Sequence, residues 1–250
     1  MRKLAYLVTF GKTFFYQLAE LSIESLLKTG FDGDIVVLSQ HPYKFKGAET
    51  ILLDRDFKHK YEPHMCRARL HEYIDMSKYD VVLYIDTDVI AIRDTTPILE
   101  DTMNNNCFSV FTAPTRLHKL WHYATMDKPQ RDKFINSETP SICSGVYALP
   151  ANQVEETFKL WLDIFENRIS NPDLFVCDQN VLCEAIYTEQ LKSNLLPNKW
   201  LFYPKYHKEE KGTELLIHHC AQSRYVLKYK YLEERLGKVT DDYQKTRTQK

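Results

Sequence analysis

Apolar residues fall along this chain in two alternating patterns, short near-continuous runs and stripes at helical spacing. Leu4 to Phe10 is a largely apolar run of strand length. Phe14, Leu18 and Leu21 then step at helical spacing, and Ile23, Leu26 and Leu27 widen that face. Gly30 and Gly33 mark an exit turn, and Asp34 to Ser39 reads as a second strand. This opening has the length of a βαβ unit. Ile51 to Leu53 is a short, edge-like strand, and Pro63 to Asp75 reads as a helix leading into the run Val81 to Ile85. Cys107 to Phe111 and Ile142 to Leu149 are further strands. Val154, Phe158, Trp161, Leu162 and Phe165 form a helical stripe, Asp178 to Tyr187 another helix, and Leu215 to His219 a last short strand. After Thr240 the chain is polar and reads as frayed. Alternating strands and helices predict an α/β fold.

A length of 250 residues fits one large domain or two small ones and can bury a sizeable core without disulfides or metals. The formal charge of −1 leaves no global attraction for nucleic acid or for a membrane surface. Cys66, Cys107, Cys143, Cys177, Cys183 and Cys220 form no C-x-x-C pair and no zinc spacing. Most sit in apolar runs and read as buried thiols of a reducing compartment. Met1-Arg2-Lys3 is basic, but the apolar stretch behind it is short and lacks a small-residue cleavage site, and no run approaches a membrane span. These features predict a soluble, cytoplasmic protein.

The chemistry concentrates where the run Val81-Val82-Leu83-Tyr84-Ile85 ends in Asp86-Thr87-Asp88. Ligands of open α/β sheets bind beyond the carboxyl ends of the strands. Two carboxylates there can take a hard divalent cation and the phosphates it carries. A solvated strand-end turn would look the same, so the surroundings matter.

Arg67-Ala68-Arg69-Leu70, followed by Lys78-Tyr79-Asp80-Val81-Val82-Leu83-Tyr84-Ile85-Asp86-Thr87-Asp88-Val89-Ile90, resembles the glycosyltransferases of family 8, the group of glycogenin and the bacterial lipopolysaccharide galactosyltransferases. The resemblance implies a GT-A fold, a single α/β/α sandwich with a mixed, mostly parallel sheet. It also implies a nucleotide-sugar donor, a UDP-sugar by preference, and Mn²⁺ or Mg²⁺. Asp86 and Asp88 would hold the metal, Asp86 also touching the ribose, and Arg69 matches the family arginine that reaches the donor.

Further matches follow in order. His218 to Arg224 is similar to the family's His-x-x-Gly-x-x-Lys-Pro-Trp ending, with Ala221 for the glycine and no Pro-Trp. His218 would be a metal ligand and Arg224 a phosphate contact, binding as a fork. His218 and His219 alternate on a strand, so only one faces the site. Cys177 to Leu182 is similar to the family's Asp-Gln motif, in which Asp178 and Gln179 line the reacting face of the sugar; Asp178 is also a good helix N-cap. Ser144 and Gly145 match the segment where backbone comes close to the sugar, but Cys143 stands in place of the family asparagine. Thr9, Phe10, Phe15 and Tyr16 lie where the family places base-binding residues. An aromatic there would stack on uracil, although either ring serves equally as core.

Residues 1–222 then form the catalytic domain and 223–250 a helical extension with a polar tail. Arg224 to Tyr231 interleaves basic and aromatic residues, open to contact with an anionic acceptor, a nucleic acid or a membrane surface, or to plain helix packing. The loop Thr115 to Thr139, with His118, Trp121, His122 and Tyr123, is the candidate site for a glycan or other hydroxyl acceptor. Retention follows from the resemblance, and with Asp178 the only obvious carboxylate nucleophile, a front-side displacement fits better than a double one. The weighed alternatives are a haloacid-dehalogenase-type phosphatase, which also ends a strand in D-x-D; a nucleotidyltransferase, which lacks its Gly-rich loop here; and a non-catalytic sugar-nucleotide-binding module.

Overall fold

The computed structural model describes residues 1–55, 57, 62–117, 124–134, 137–171, 173–207, 209–219 and 225–248. Its strands are β1 (Lys3–Thr9), β2 (Asp34–Ser39), β3 (Glu49–Leu52), β4 (Val81–Ile85), β5 (Val89–Ala91), β6 (Phe108–Arg116), β7 (Pro140–Pro150), β8 (Ser193–Leu195), β9 (Leu201–Phe202) and β10 (Leu216–His218). Its α-helices are α1 (Thr13–Lys28), α2 (Glu62–Met65), α3 (Thr96–Asn105), α4 (Lys128–Phe134), α5 (Val154–Ile169), α6 (Asp178–Tyr187) and α7 (Tyr225–Thr248).

A seven-stranded sheet runs β3-β2-β1-β4-β7-β6-β8. β3, β2, β1 and β4 are mutually parallel; β7 is antiparallel to β4 and β6; β8 is parallel to β6. The expected mixed, mostly parallel α/β architecture is therefore present. Leu4, Tyr6 and Val8 of β1 pack into one core, with Tyr84, Tyr147, Phe158 and Trp161. Ala5 and Leu7 pack into the opposite one, with Ile23, Leu26 and Ile98. Both faces of the central strand are covered, which is why these strands read as near-continuous apolar runs.

The chain leaves β1 toward β2 on one side, while β4 pairs on the other. A crevice opens at such a switch point, beyond the carboxyl ends of the two strands. Thr9 and Asp86 stand at those ends. A second, three-stranded sheet, β5-β10-β9, begins right after Asp88, and its central strand carries His218. The D-x-D turn thus joins the two sheets.

Two elements differ from the sequence reading. The expected helix Pro63–Asp75 is the single turn α2 followed by a 3₁₀ segment, Cys66–Glu72, whose geometry breaks at Ala68 (φ −89°, ψ 15°). Cys66, Arg67, Ala68 and Leu70 are all buried. The segment turns inward on more than one face and winds tightly instead of forming an amphipathic α-helix. At the other end, α7 continues through the polar stretch after Thr240 to Thr248. No Gly or Pro interrupts it after Gly237. Leu232 and Leu236 of α7 are buried with Leu18 and Leu21 of α1.

Candidate functional site

β4 delivers Asp86 and Asp88 into a tight turn in which Val89 N donates to Asp86 O at 3.0 Å. Neighbouring elements fix this turn. Asp86 N donates to Gly145 O of β7 at 2.8 Å, and His219 N donates to Asp88 O at 3.0 Å. The buried Ser22 hydroxyl of α1 donates into the same turn, 3.2 Å from Thr87 O and also bonded to Val89 O. β10 pairs with β5 so that His218 lies opposite Val89. Donor atoms of Asp86, Asp88 and His218 consequently all lie within 4.8 Å of one another. His219, one residue on, faces Tyr231 at a ring distance of 5.2 Å. Strand alternation decides between the two histidines, and His218 is the one in the cluster.

Two carboxylates and an imidazole form a donor set that suits Mn²⁺, and the carboxylates suit Mg²⁺. The local crowding also fits an ion. A Cβ on Gly145 would come within 2.7 Å of both Asp86 Oδ2 and His218 Cε1. Glycine is needed here for close approach. Gly145→Ala should therefore weaken Mn²⁺ binding by about tenfold by pushing these two groups apart, with little loss of thermal stability. Calorimetric titration with Mn²⁺ beside a melting curve checks this, and wild-type affinity in the variant would contradict it.

His218 Nε2 is 3.4 Å from Asp88 Oδ1, and its Nδ1 is 3.6 Å from Cys143 Sγ. Burial opposes charge on this ring, but Asp88 above all raises its pKa. Burial likewise opposes the Asp88 carboxylate, yet His218 first and Lys228 second hold its pKa down. Lys228 Nζ lies 2.6 Å from Asp88 Oδ2.

The other half of the site is built on Arg67, 4% exposed. Its guanidinium places Nη2 at 3.0 Å from Asp86 Oδ1 and Nη1 at 3.1 Å from Asp178 Oδ2. Nη1 also donates to Ser144 O at 2.8 Å, and Nε to His64 O at 2.9 Å. The group lies 4.9 Å from the centroid of the Tyr84 ring, and Tyr84 OH donates to Asp86 Oδ1 at 2.5 Å. Tyr6 OH donates to the Arg67 carbonyl at 2.5 Å. Burial raises the pKa of Asp178, but Arg67 first, with His64, the Ser144 side chain and a backbone N–H, together outweigh it and the net shift is downward. Asp178 is not the cap of α6. Cys177 holds that position, with its N–H bonded to Asn180 Oδ1 at 2.8 Å, and the Asp178 carboxylate turns to Arg67 instead. Gln179 Nε2 donates to Ile142 O at 2.7 Å, which sets its amide plane beside β7.

A cavity of about 150 Å³ opens beside the carboxylates, lined by Thr9, Phe10, Phe15, His64, Arg67, Asp86 and Lys228 among others. Phe10 and Phe15 stack at 6.4 Å. Thr9 Oγ1 is buried with no hydrogen-bond partner among the described residues.

Two expected donor residues stand elsewhere. Tyr16, 3% exposed, turns into the core on the far side of α1, against His41 and Phe45. Arg69 points away from Asp86 and pairs with Glu72 at 2.6 Å and Glu166 at 3.3 Å. On the 3₁₀ turn, Arg67 rather than Arg69 faces inward. Arg224, Cys220 and the aromatic residues of 118–123 lie outside the described residues. Sequence reasoning missed Ser22, Lys228 and the inward role of Arg67.

Among solved structures, the galactosyltransferase LgtC, determined with donor and acceptor sugar analogs, is similar to this chain at TM-score 0.62 and 13% identity, covering 95% of this chain and 96% of that one. An active-site Gln-to-Glu mutant of LgtC is similar to the same degree. The bifunctional glycosyltransferase WbbM is similar at TM-score 0.65 and 14% identity, over 98% of this chain and 51% of WbbM. The glycosyltransferase GlyE of Streptococcus pneumoniae TIGR4 is similar at 0.62 and 14%, over 98% of this chain and 64% of GlyE. At such identities these likenesses speak for the fold alone. No curated protein sequence matches the chain. Residues 20–223, more than three quarters of the chain, match the family described as Glycosyl transferase family 8. The chain belongs to that family and is a glycosyltransferase.

Proposed function

We propose that the enzyme transfers a hexose from a UDP-sugar to a hydroxyl of a glycan or other acceptor, with retention and with Mn²⁺ or Mg²⁺. The observation that carries this reading is the convergence of Asp86, Asp88 and His218 beside the cavity lined by Thr9, Phe10 and Phe15. These three residues would hold the cation. When bound, the cation stabilises the charge growing on the leaving diphosphate, an effect of several kcal/mol.

The chain's own groups divide the remaining work. Phe10 and Phe15 offer a face for the base, and Thr9 Oγ1 a buried hydrogen-bonding group for a polar donor atom. Ser144 and Gly145 bring backbone close to the sugar. Asp178 orients a sugar hydroxyl, and the Gln179 amide stabilises positive charge developing at the anomeric carbon. Arg67 takes the part expected of Arg69, tying the metal side at Asp86 to the sugar side at Asp178.

A carboxylate that is buried and paired with an arginine is a poor nucleophile. This favours displacement on one face of the sugar. The bond from the anomeric carbon to the phosphate oxygen breaks, the acceptor oxygen bonds to that carbon from the same side, and its proton passes to the departing diphosphate. The enzyme then contributes positioning and fixed charge.

Among the described residues no helix is long and apolar enough to cross a membrane. The buried free thiols Cys66, Cys107, Cys143 and Cys183 suit a reducing setting, and we place the enzyme in the cytoplasm.

Release of nucleoside diphosphate from a panel of sugar nucleotides, with Mn²⁺ and with EDTA, tests the reading. Slow hydrolysis of one donor, present only with metal, is expected. Metal-dependent donor binding without turnover would indicate a non-catalytic module. No release and no metal-dependent UDP binding would remove the reading altogether.

A further inference from the structure

Among the described residues, Lys228 is the one residue of the cavity wall that comes from α7, which lies beyond the residues 20–223 matched by the family. Its position is unusual for a lysine. It is 6% exposed, and its ammonium sits 2.6 Å from Asp88 Oδ2. The other oxygen of the same carboxylate faces His218 Nε2 at 3.4 Å. Both oxygens of Asp88 are thus engaged by nitrogen groups, although Asp88 belongs to the three-residue donor set. α7 holds the lysine there through Leu232 and Leu236, buried against α1, and through the Tyr229 ring, 6.5 Å from Phe14.

We propose that Lys228 is an exchangeable cation that couples metal binding to diphosphate binding. The inference rests on the function proposed above. An ammonium and a divalent cation cannot share Asp88 without strong repulsion, because like charges this close in a partly buried site are poorly screened by water. A metal entering the cluster must displace the ammonium from Asp88. Once displaced, a buried lysine needs another anion. The cavity that Lys228 already lines is where the donor's diphosphate would lie, and its negative oxygens take the ammonium at the moment Asp88 passes to the metal. A long, flexible side chain can make this move while α7 stays docked.

The consequence is a positive coupling between two ligands. Metal alone binds weakly, since it must displace Lys228 with no new partner for it. Metal with a nucleoside diphosphate binds tightly. Uncharged or singly charged donor fragments gain little, which keeps the metal site from filling without its substrate.

The test is direct binding, read without turnover: titration of the full-length protein with Mn²⁺ alone, followed by paramagnetic resonance of free Mn²⁺, and calorimetric titration with UDP at saturating Mn²⁺. Lys228→Met should bind Mn²⁺ alone about tenfold more tightly, because the competing ammonium is gone. The same variant should bind UDP about tenfold more weakly, because a charge-assisted hydrogen bond to phosphate is lost. These opposite signs are not produced by general damage to the fold. Lys228→Arg, which keeps the charge, should retain wild-type behaviour in both titrations and serves if the methionine variant does not fold. Unchanged or weaker Mn²⁺ affinity in Lys228→Met, or loss of the coupling in Lys228→Arg, overturns the inference while leaving the proposed function standing. Wild-type protein that binds neither Mn²⁺ nor UDP overturns both.

Discussion

Asp86→Ala is expected to reduce metal-dependent turnover by about a thousandfold or more while leaving a folded protein. Asp86 belongs to the metal donor set, accepts the Tyr84 hydroxyl at 2.5 Å, and pairs with Arg67 at 3.0 Å. Under the proposed function its removal takes a carboxylate from the cation and from the cavity wall together. Folding should survive, because Arg67 keeps Asp178 and the carbonyls of Ser144 and His64 as partners. The unpaired Tyr84 hydroxyl should cost about 1–2 kcal/mol. The check is nucleoside diphosphate release by wild type and variant across a range of Mn²⁺ concentrations. A variant within tenfold of wild type at every metal concentration, low as well as high, would show that Asp86 does not hold the cation. Full rescue by high Mn²⁺ would mean that its contribution is to affinity alone.

The parts of this site visible in the sequence are those whose chemistry is tied to a regular element. Asp86 and Asp88 end an unmistakable buried strand. His218 and His219 lie on a strand whose alternation admits only one of them to the cluster, and His218 is the one admitted. Gly145 interrupts an apolar run, at a place where Asp86 and His218 leave no room for a Cβ. β5 and β9 are three and two residues long, too short to show any period, so the second sheet that carries His218 was not apparent.

What stayed hidden depends on tertiary packing. Arg67 and Arg69 are two residues apart in a segment that reads as helical. Only its tight 3₁₀ winding turns the first toward Asp86 and leaves the second with Glu72 and Glu166. Ser22 is one hydroxyl in an amphipathic helix, where serine is unremarkable; its use lies in the carbonyls of a turn 65 residues away. Lys228 belongs to a basic and aromatic stretch that resembles a solvated helix. The depth of its ammonium follows from how α7 docks on α1. Asp178 would serve equally well as a helix cap until Cys177 is seen in that place.

Arg67→Met should have the largest effect on stability. The guanidinium is buried between two carboxylates, and truncating one partner of a buried ion pair leaves the other charges unpaired. Such losses amount to about 3–5 kcal/mol. For a chain of this size that is a fall of about 10 °C in melting temperature. The loss should depend on pH in a definite direction. In the wild type Arg67 holds the Asp178 pKa below the ordinary carboxylate value. That group therefore adds stability above its unfolded pKa of about 3.9, and the contribution is lost as pH falls through its folded value. In the variant the strongest opposition to burial is gone and the Asp178 pKa rises, so protonation relieves the folded state as pH falls. The gap between wild type and variant should be widest near pH 7 and narrower near pH 5. Melting curves at both values decide the matter; equal gaps would mean that Arg67 acts by packing and not by charge. Arg67→Met combined with Asp178→Asn should recover part of the melting temperature, since the unpaired charge is gone, but no turnover, since the sugar side of the site would have lost both residues that tie it to the metal side.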